Sequence, residues 1–370
     1  MIKLTKSSVL YLLLIFAPIS FFLDQFNSNS TLLFIISILS LIPLAKLIGD
    51  STEHLASHYG STVGSLLNVT FGNAAEIIIG IIAISAGLID LVKASIIGAI
   101  LGNIMLIFGL SMIVGGIRHK EQSFNRENAG LQSSMIFLSI IGLAIPTLLA
   151  VTAFQPESVN GEKQIQLLSD SLAIILLGVY IAGIIFTFIT HKYLFTSPAH
   201  SNGNNNNNNT LSSLSLKHWS KKKSFLLLGL SMLGVVIVSE ILVGSVEETG
   251  KRLGFGEMFV GAIIVGIVGN AAEHSSAILL ARKGKIDLSI GIAAGSGTQI
   301  ALFVVPILVF AGIALGQPFT LEFTLYELVT LFLAAIILNL IAHDGKSNWF
   351  EGVMLTAVYI IIALGFYFLG

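Results

Sequence analysis

The chain alternates between long apolar runs and short polar segments. Eleven of these runs come close to the roughly 20 apolar residues that an α-helix needs to cross a bilayer. They predict helices over residues 8–23, 31–49, 62–85, 89–115, 131–153, 168–190, 224–247, 257–281, 286–315, 324–342 and 351–369. The pattern therefore predicts an all-α polytopic membrane protein with about 11 transmembrane helices.

Composition supports this prediction. Hydrophobic residues make up 54% of the 370 residues and charged residues only 11%, whereas a soluble domain carries about 25% charged residues. The mean hydropathy is +0.90. A net charge of -1 argues against a nucleic-acid partner, and the absence of cysteine excludes disulfides.

The charges in the loops predict an orientation. Lys3 and Lys6 precede the first apolar run, but no clear small-residue cleavage site follows it, so we interpret it as a spanning helix rather than a signal peptide. With the N-terminus in the cytoplasm, most of the 19 Lys and Arg residues fall in cytoplasmic loops. The exceptions are Lys93, Lys163, Lys251 and Arg252. This bias is what the positive-inside rule predicts for a cytoplasmic N-terminus.

The longest polar break divides the chain into two halves. It runs from residue 191 to 223 and contains the sequence NGNNNNNN at 202–209. Low complexity and high polarity favour a disordered cytoplasmic linker. We predict an N-terminal transmembrane helix in residues 1–30, five-helix units in residues 31–190 and 224–370, and the linker between those units.

The two units carry the same pentapeptide. GNAAE occurs at 72–76 and again at 269–273, and the match continues at the same offset, where Gly98 pairs with Gly295. Because each unit has an odd number of helices, the second must enter the membrane in the opposite sense to the first. Inverted repeats of this kind build secondary transporters whose sites lie near the midplane, between the halves. We therefore expect Glu76 and Glu273 to converge on one site.

A carboxylate at membrane depth is a functional residue by default unless a basic residue neutralises it. Neither GNAAE helix contains a basic residue. Two neighbouring carboxylates in a medium of low dielectric constant cannot both stay ionised without a large electrostatic penalty. A bound dication or bound protons remove that penalty, so competition between them would produce exchange. This argument does not by itself select calcium.

The residues around the two glutamates suit a hard cation. Asn73 and Asn270 lie three residues before the glutamates, on the same helical face. Gly72 and Gly269 allow close helix packing or a kink that frees a carbonyl. Oxygen ligands of these types are what calcium prefers. Further polar groups that could complete the shell follow in the next helix of each unit, at Asn103, Ser296 and Gln299.

Four other polar residues are candidates for a proton relay or a gate. Glu53 and Glu248 occupy matching positions in the two units, where an ordinary solvated helix end is an equally good interpretation. For Glu240, deeper in its helix, we favour a relay or gate over an ion pair. His274 follows Glu273 directly, and it either tunes proton transfer or makes a hydrogen bond between helices.

The paired motifs resemble the cation/proton exchanger (CAX) family of the calcium/cation antiporter superfamily. The resemblance rests on LLNVTFGNAAEIIIG at 66–80, SEILVGSVEE at 239–248, VGNAAEHSSAI at 268–278 and GSGTQIALFVVP at 295–306. It implies proton-driven calcium transport, with Glu76 and Glu273 as the central cation and proton ligands. Family members often have an acidic central loop, whereas this loop is Asn-rich and basic.

The expected function is Ca²⁺/H⁺ antiport by alternating access, with Ca²⁺ as the transported substrate, H⁺ as its counter-ion and no cofactor. The alternatives are a sodium-coupled or other divalent-cation exchanger on the same scaffold, or a passive cation channel. We see no HExxH or GxSxG motif and no Cys/His pair, which argues against an enzyme. The lipid bilayer is the expected environment, and a homo-oligomer is left open. We expect a bacterial inner membrane, or a vacuolar membrane in a eukaryote.

Overall fold

The structure, a computed structural model, describes residues 10–26, 29–59, 61–153, 159–191 and 219–369. Within these ranges ten segments are long and apolar enough to cross a membrane, counting one bent pair of helices as a single segment. A shorter apolar helix precedes them. The segments are α1 Leu10–Gln25, α2 Ser30–Tyr59, α3 Leu66–Ser85, α4 Ile89–Gly116, α5 Arg126–Thr152, α6 Asn160–Thr190, α7 Lys221–Leu253, α8 Glu257–Gly269 with Ala271–Arg282, α9 Ile286–Leu315, α10 Leu325–Ala342 and α11 Trp349–Leu369.

The predicted architecture is confirmed, with one N-terminal helix followed by two inverted five-helix repeats. The first predicted span, 8–23, corresponds to α1, whose 16 described residues reach only about 24 Å at 1.5 Å per residue. Residues 1–9 lie outside the described residues. So does most of the predicted linker, because the described chain resumes at Trp219 and α7 begins at Lys221.

Several helices extend beyond their apolar runs. The predicted span 31–49 is the apolar part of α2, which continues through a polar segment to Tyr59. Polar caps explain where two other helices begin, since the side chains of Asn125 and Ser220 accept hydrogen bonds from the first turns of α5 and α7. Hydropathy therefore located the membrane-buried part of each helix but not its ends.

The two GNAAE helices are broken at the motif itself. The first consists of Ser61–Gly72 and Ala74–Ser85, with Asn73 between them. The second, α8, breaks in the same way at Asn270, where its two parts are bent by 61°. In the helices that follow, wide π-helical turns occupy corresponding positions, Gly102–Ile107 in α4 and Ile300–Val304 in α9. π-helical turns are rare and frequently mark functional sites.

The central helices are those that follow the motifs. In the most apolar stretch of α4, 83% of the residues are buried inside the protein, compared with 17% in α6, which lies at the periphery. Gly98 of α4 lies against the Ala262 carbonyl of α8, so closely that a β-carbon at Gly98 would overlap it. Helices α2 and α7 pack along each other outside this core.

One face of the protein is closed by contacts between loops of the two repeats. Two-residue strands, β1 Gln122–Ser123 and β2 Lys346–Ser347, pair antiparallel and are the departure from an all-α fold in the described chain. The Glu121 carboxylate accepts a hydrogen bond from Lys346 and holds the pKa of that amine above its usual range. These contacts join the loop after α4 to the loop after α10, so the predicted topology correctly places both loops on one side.

Candidate cation site

Helix breaks bring the two GNAAE motifs together. A β-carbon added to Gly269 would lie 3.1 Å from Oε1 of Glu76, and one added to Gly72 would lie 3.5 Å from Oε1 of Glu273. Each carboxylate therefore lies over the glycine of the other repeat. At Gly269 the absence of a side chain leaves space that the Glu76 carboxylate occupies, whereas at Gly72 a β-carbon would make an ordinary contact with Glu273. The convergence of Glu76 and Glu273 expected from the inverted repeat is present in the structure.

Both carboxylates have an oxygen without a partner. Oε2 of Glu76 and Oε2 of Glu273 are buried and accept no hydrogen bond from any described residue, and the same holds for Oδ1 of Asn73. The four ion pairs found within the described ranges lie elsewhere and involve neither glutamate. Buried polar atoms in proteins nearly always have partners. These three unpartnered oxygens, two from the carboxylates and one from Asn73, are of the type that hard cations prefer as ligands.

The predicted polar residues connect directly to this centre. The Asn73 side chain donates to Oε1 of Gln299 at 2.7 Å. On the other side, Nδ2 of Asn103 donates to Oδ1 of Asn270 at 3.3 Å and to Oγ of Ser296 at 3.1 Å. These hydrogen bonds cross between the repeats, because Asn73 and Asn103 belong to the first and the other three residues to the second.

His274 belongs to the same network. Its Nε2 lies 3.1 Å from Oδ1 of Asn103, and the side chain is buried. Of the two interpretations left open for this residue, the hydrogen bond between helices is the one that the structure contains. A part in proton transfer stays a prediction.

The three remaining acidic candidates lie apart from this centre. Glu53 is exposed on the polar extension of α2. Glu240 and Glu248 both line a cavity of about 580 Å³ between α1, α2 and α7. Glu248 forms an ion pair with Arg252 and accepts a hydrogen bond from Ser30. Their roles as gate or relay residues stay predictions.

Tyr180 of α6 is not among the site residues predicted from the sequence. Its side chain is buried, its hydroxyl has no hydrogen-bond partner in the described part of the chain, and its ring stacks on Phe303 with centroids 5.3 Å apart. Phe303 lies in the π-helical turn of α9, and this turn begins directly after Gln299. Glu273 lies within electrostatic range of the hydroxyl. The signal in the sequence is a single tyrosine in the apolar run of a peripheral helix.

The site is not a cluster of strong metal ligands. The described residues contain no group of three or more His, Asp or Glu side chains that could hold a metal ion. The centre instead combines two carboxylates with amide and hydroxyl groups. Such a set suits a hard cation that must bind and leave again, because fewer charged ligands give weaker binding.

Comparison with known proteins agrees with this architecture. The profile of the family described as sodium/calcium exchanger protein matches residues 29–189 and 223–368. A Ca(2+)/H(+) antiporter of Synechocystis sp. is 40% identical over 369 residues, covering 98% of this chain and 98% of its own length. A vacuolar calcium ion transporter of Schizosaccharomyces pombe is 36% identical over 362 residues, covering 98% of this chain and 85% of its own length.

The fold is also found among solved structures. The structure of native YfkE superposes with a TM-score of 0.80 at 35% identity, covering 97% of this chain and 99% of the other. Inverted repeats that meet at buried polar groups are the architecture of secondary transporters. The chain belongs to the sodium/calcium exchanger protein family.

Proposed function

We propose that the protein exchanges Ca²⁺ for H⁺ across a membrane, using Glu76 and Glu273 as the shared site for both ions. The observation that carries this proposal is the pair of carboxylates with buried, unpartnered oxygens, neither of which forms an ion pair in the described part of the chain. One dication or two protons neutralise the pair, and an empty ionised pair in this environment is strongly disfavoured. The named functions of relatives at about 40% identity support the choice of calcium and protons.

Exchange follows from this electrostatic constraint. When the site opens to one side, Ca²⁺ leaves as protons bind to the two carboxylates. When it opens to the other side, the protons leave as the next Ca²⁺ binds. Because the ion-free charged site is disfavoured, the change of access takes place with the carboxylates neutralised. We propose that α2 and α7, which pack along each other outside the core, move relative to the central helices α4 and α9.

The orientation is part of the proposal. The loops that follow α4, α8 and α10 lie on one face and carry basic residues that include Arg118, Lys120, Lys283 and Lys346. The positive-inside rule supports placing this face in the cytoplasm. Relatives from a cyanobacterium and from a fungal vacuole are both compatible with that orientation.

The test is calcium uptake by purified protein in sodium-free vesicles after an inside-acid pH step. Wild-type protein is expected to take up Ca²⁺, and Glu76→Gln and Glu273→Gln are expected to reduce uptake at least about 100-fold, because each removes a charge that must pair with the dication. Substantial exchange by both variants would contradict the site.

The chain offers a matched control at Glu327, another buried glutamate. It lies outside the site and forms a capping box with Thr324, which a glutamine can also form. Glu327→Gln is therefore expected to transport at close to the wild-type rate. Uptake that requires sodium inside the vesicles would show that sodium, not H⁺, is the counter-ion. Uptake that does not depend on the pH step would indicate a channel.

A further inference from the structure

The two asparagines of the GNAAE motifs occupy equivalent positions but differ in their hydrogen bonds. Both are buried, and both lie at the break in their helix. Oδ1 of Asn73 has no hydrogen-bond partner, whereas Oδ1 of Asn270 accepts two. The identical pentapeptides therefore present different atoms to the site.

The orientation of Asn270 is fixed by its own helix. Its amide nitrogen lies 3.1 Å from the carbonyl oxygen of Gly266, and a carbonyl can only accept, so the nitrogen must face it. Oδ1 of Asn270 then faces away, toward Oγ of Ser296 and Nδ2 of Asn103, each 3.3 Å from it. Two donor groups therefore face this oxygen, and the single hydroxyl proton of Ser296 is shared between Asn270 and the Glu273 carboxylate.

The same reasoning extends to the histidine. Because Nδ2 of Asn103 faces Asn270, Oδ1 of Asn103 must face His274. An amide oxygen accepts only, so His274 carries a proton on Nε2 and donates it to Asn103. The groups from the Gly266 carbonyl to the His274 ring therefore form one connected hydrogen-bond network. The orientation of Asn270 determines the orientations of Asn103 and His274.

The first repeat has no such network around Asn73. The positions that match His274 and Ser296 at the motif offset are Ile77 and Ala99, which cannot make side-chain hydrogen bonds. Among the described residues, the Asn73 side chain donates to Gln299. Its Oδ1 is buried and has no hydrogen-bond partner in the described part of the chain, as is also true of Oε2 of Glu76 and Oε2 of Glu273.

We propose that the cation is bound asymmetrically, with Oδ1 of Asn73 as a ligand beside Glu76 and Glu273, and with Asn270 as a structural residue outside the ligand set, held by Asn103, Ser296 and His274. This inference rests on the proposed function. Asn270 could ligate the cation only by giving up two hydrogen bonds in a buried place, whereas Asn73 gives up none.

The experiment is calorimetric measurement of Ca²⁺ binding to the purified protein. Asn73→Ala is expected to raise the dissociation constant at least about tenfold, because it removes a ligand dipole from a buried cation. Asn73→Asp keeps a side-chain oxygen and is expected to bind more tightly than Asn73→Ala. Asn270→Ala is expected to lower the thermal midpoint while changing the dissociation constant by less than about threefold. Equal effects of the two alanine variants on binding, or a larger effect at Asn270, would overturn the proposal.

His274 supplies a second pair of variants in case Asn270→Ala does not fold. The amide of glutamine reaches the position of Nε2 and can donate to Asn103, whereas phenylalanine cannot. His274→Gln is expected to keep the wild-type thermal midpoint and dissociation constant, and His274→Phe to lower the midpoint. Loss of binding in His274→Gln with an unchanged midpoint would show that the imidazole itself holds the cation, and would contradict a structural role for the hydrogen bond between His274 and Asn103.

Measuring Ca²⁺ binding by the wild-type protein also distinguishes a failure of this proposal from a failure of the proposed exchange function. Wild-type protein that binds Ca²⁺ but does not exchange it for H⁺ would contradict the proposed exchange alone, because the comparison of the asparagines still stands. Wild-type protein that does not bind Ca²⁺ would contradict both.

Discussion

Replacing the two motif glycines by alanine tests the geometry of the site with a built-in control. The substitution is the same at both places, and each glycine ends a helical segment just before the break. Neither has a positive φ, so alanine strains neither backbone. The two differ in the space around the new methyl group. At Gly269 it would meet Glu76 at 3.1–3.4 Å, whereas at Gly72 its nearest contact is Glu273 at 3.5 Å.

These distances give the expected magnitude. A carbon at 3.5 Å is in ordinary van der Waals contact, whereas one at 3.1 Å must displace its neighbour by a few tenths of an ångström. A misplacement of about 1 Å can reduce a rate about 100-fold, so a few tenths should reduce it by roughly three- to tenfold. We expect Gly269→Ala to show that loss in calcium transport and Gly72→Ala to stay within about twofold of wild type.

The assay is initial calcium uptake in vesicles over a range of calcium concentrations, together with the thermal midpoint of each purified variant. Neither variant is expected to lower its midpoint, since alanine favours helix over glycine by about 1 kcal/mol. Equal losses at the two glycines, or a larger loss in Gly72→Ala, would contradict the difference in space between Gly269 and Gly72 on which the prediction rests.

Two further predictions concern packing. Gly98→Ala should prevent stable folding because its β-carbon would overlap the Ala262 carbonyl. Gly295→Ala, at the matching position in the second repeat, should fold normally because there is open space around it. Expression level and thermal midpoint test both variants. Tyr180→Phe and Tyr359→Phe each remove a buried hydroxyl that has no partner in the described chain, so each should leave the thermal midpoint unchanged or raise it. A destabilisation of more than about 1 kcal/mol in either would show that the hydroxyl is hydrogen-bonded after all.

The sequence predicted the architecture because that architecture depends on simple quantities. The lengths of the apolar runs set the number of spans. A motif repeated in two consecutive units of five helices requires the second unit to be inverted, because five is an odd number. The convergence of Glu76 and Glu273 follows from these two facts. The polar extension of α2 to Tyr59 was missed because a helix outside the bilayer has no hydropathy signal.

The finer features of the site depend on packing that the sequence does not encode locally. The π-helical turns in α4 and α9 are shifts in hydrogen-bond register, and no residue type marks them. The difference between Asn73 and Asn270 was hidden because the pentapeptides are identical. It arises from residues elsewhere in each repeat, where Ile77 and Ala99 stand in place of His274 and Ser296.

The central claim is that one pair of carboxylates holds either calcium or protons. The most direct measurement is the number of protons released when Ca²⁺ binds to the purified protein, obtained by calorimetry in buffers of different ionisation enthalpy at several pH values. Ligands must lose their protons before they bind a metal, so binding should release protons at acidic pH. The release should vanish in a Glu76→Gln, Glu273→Gln double variant along with the binding. Calcium binding by the wild type without proton release at any pH would contradict the account.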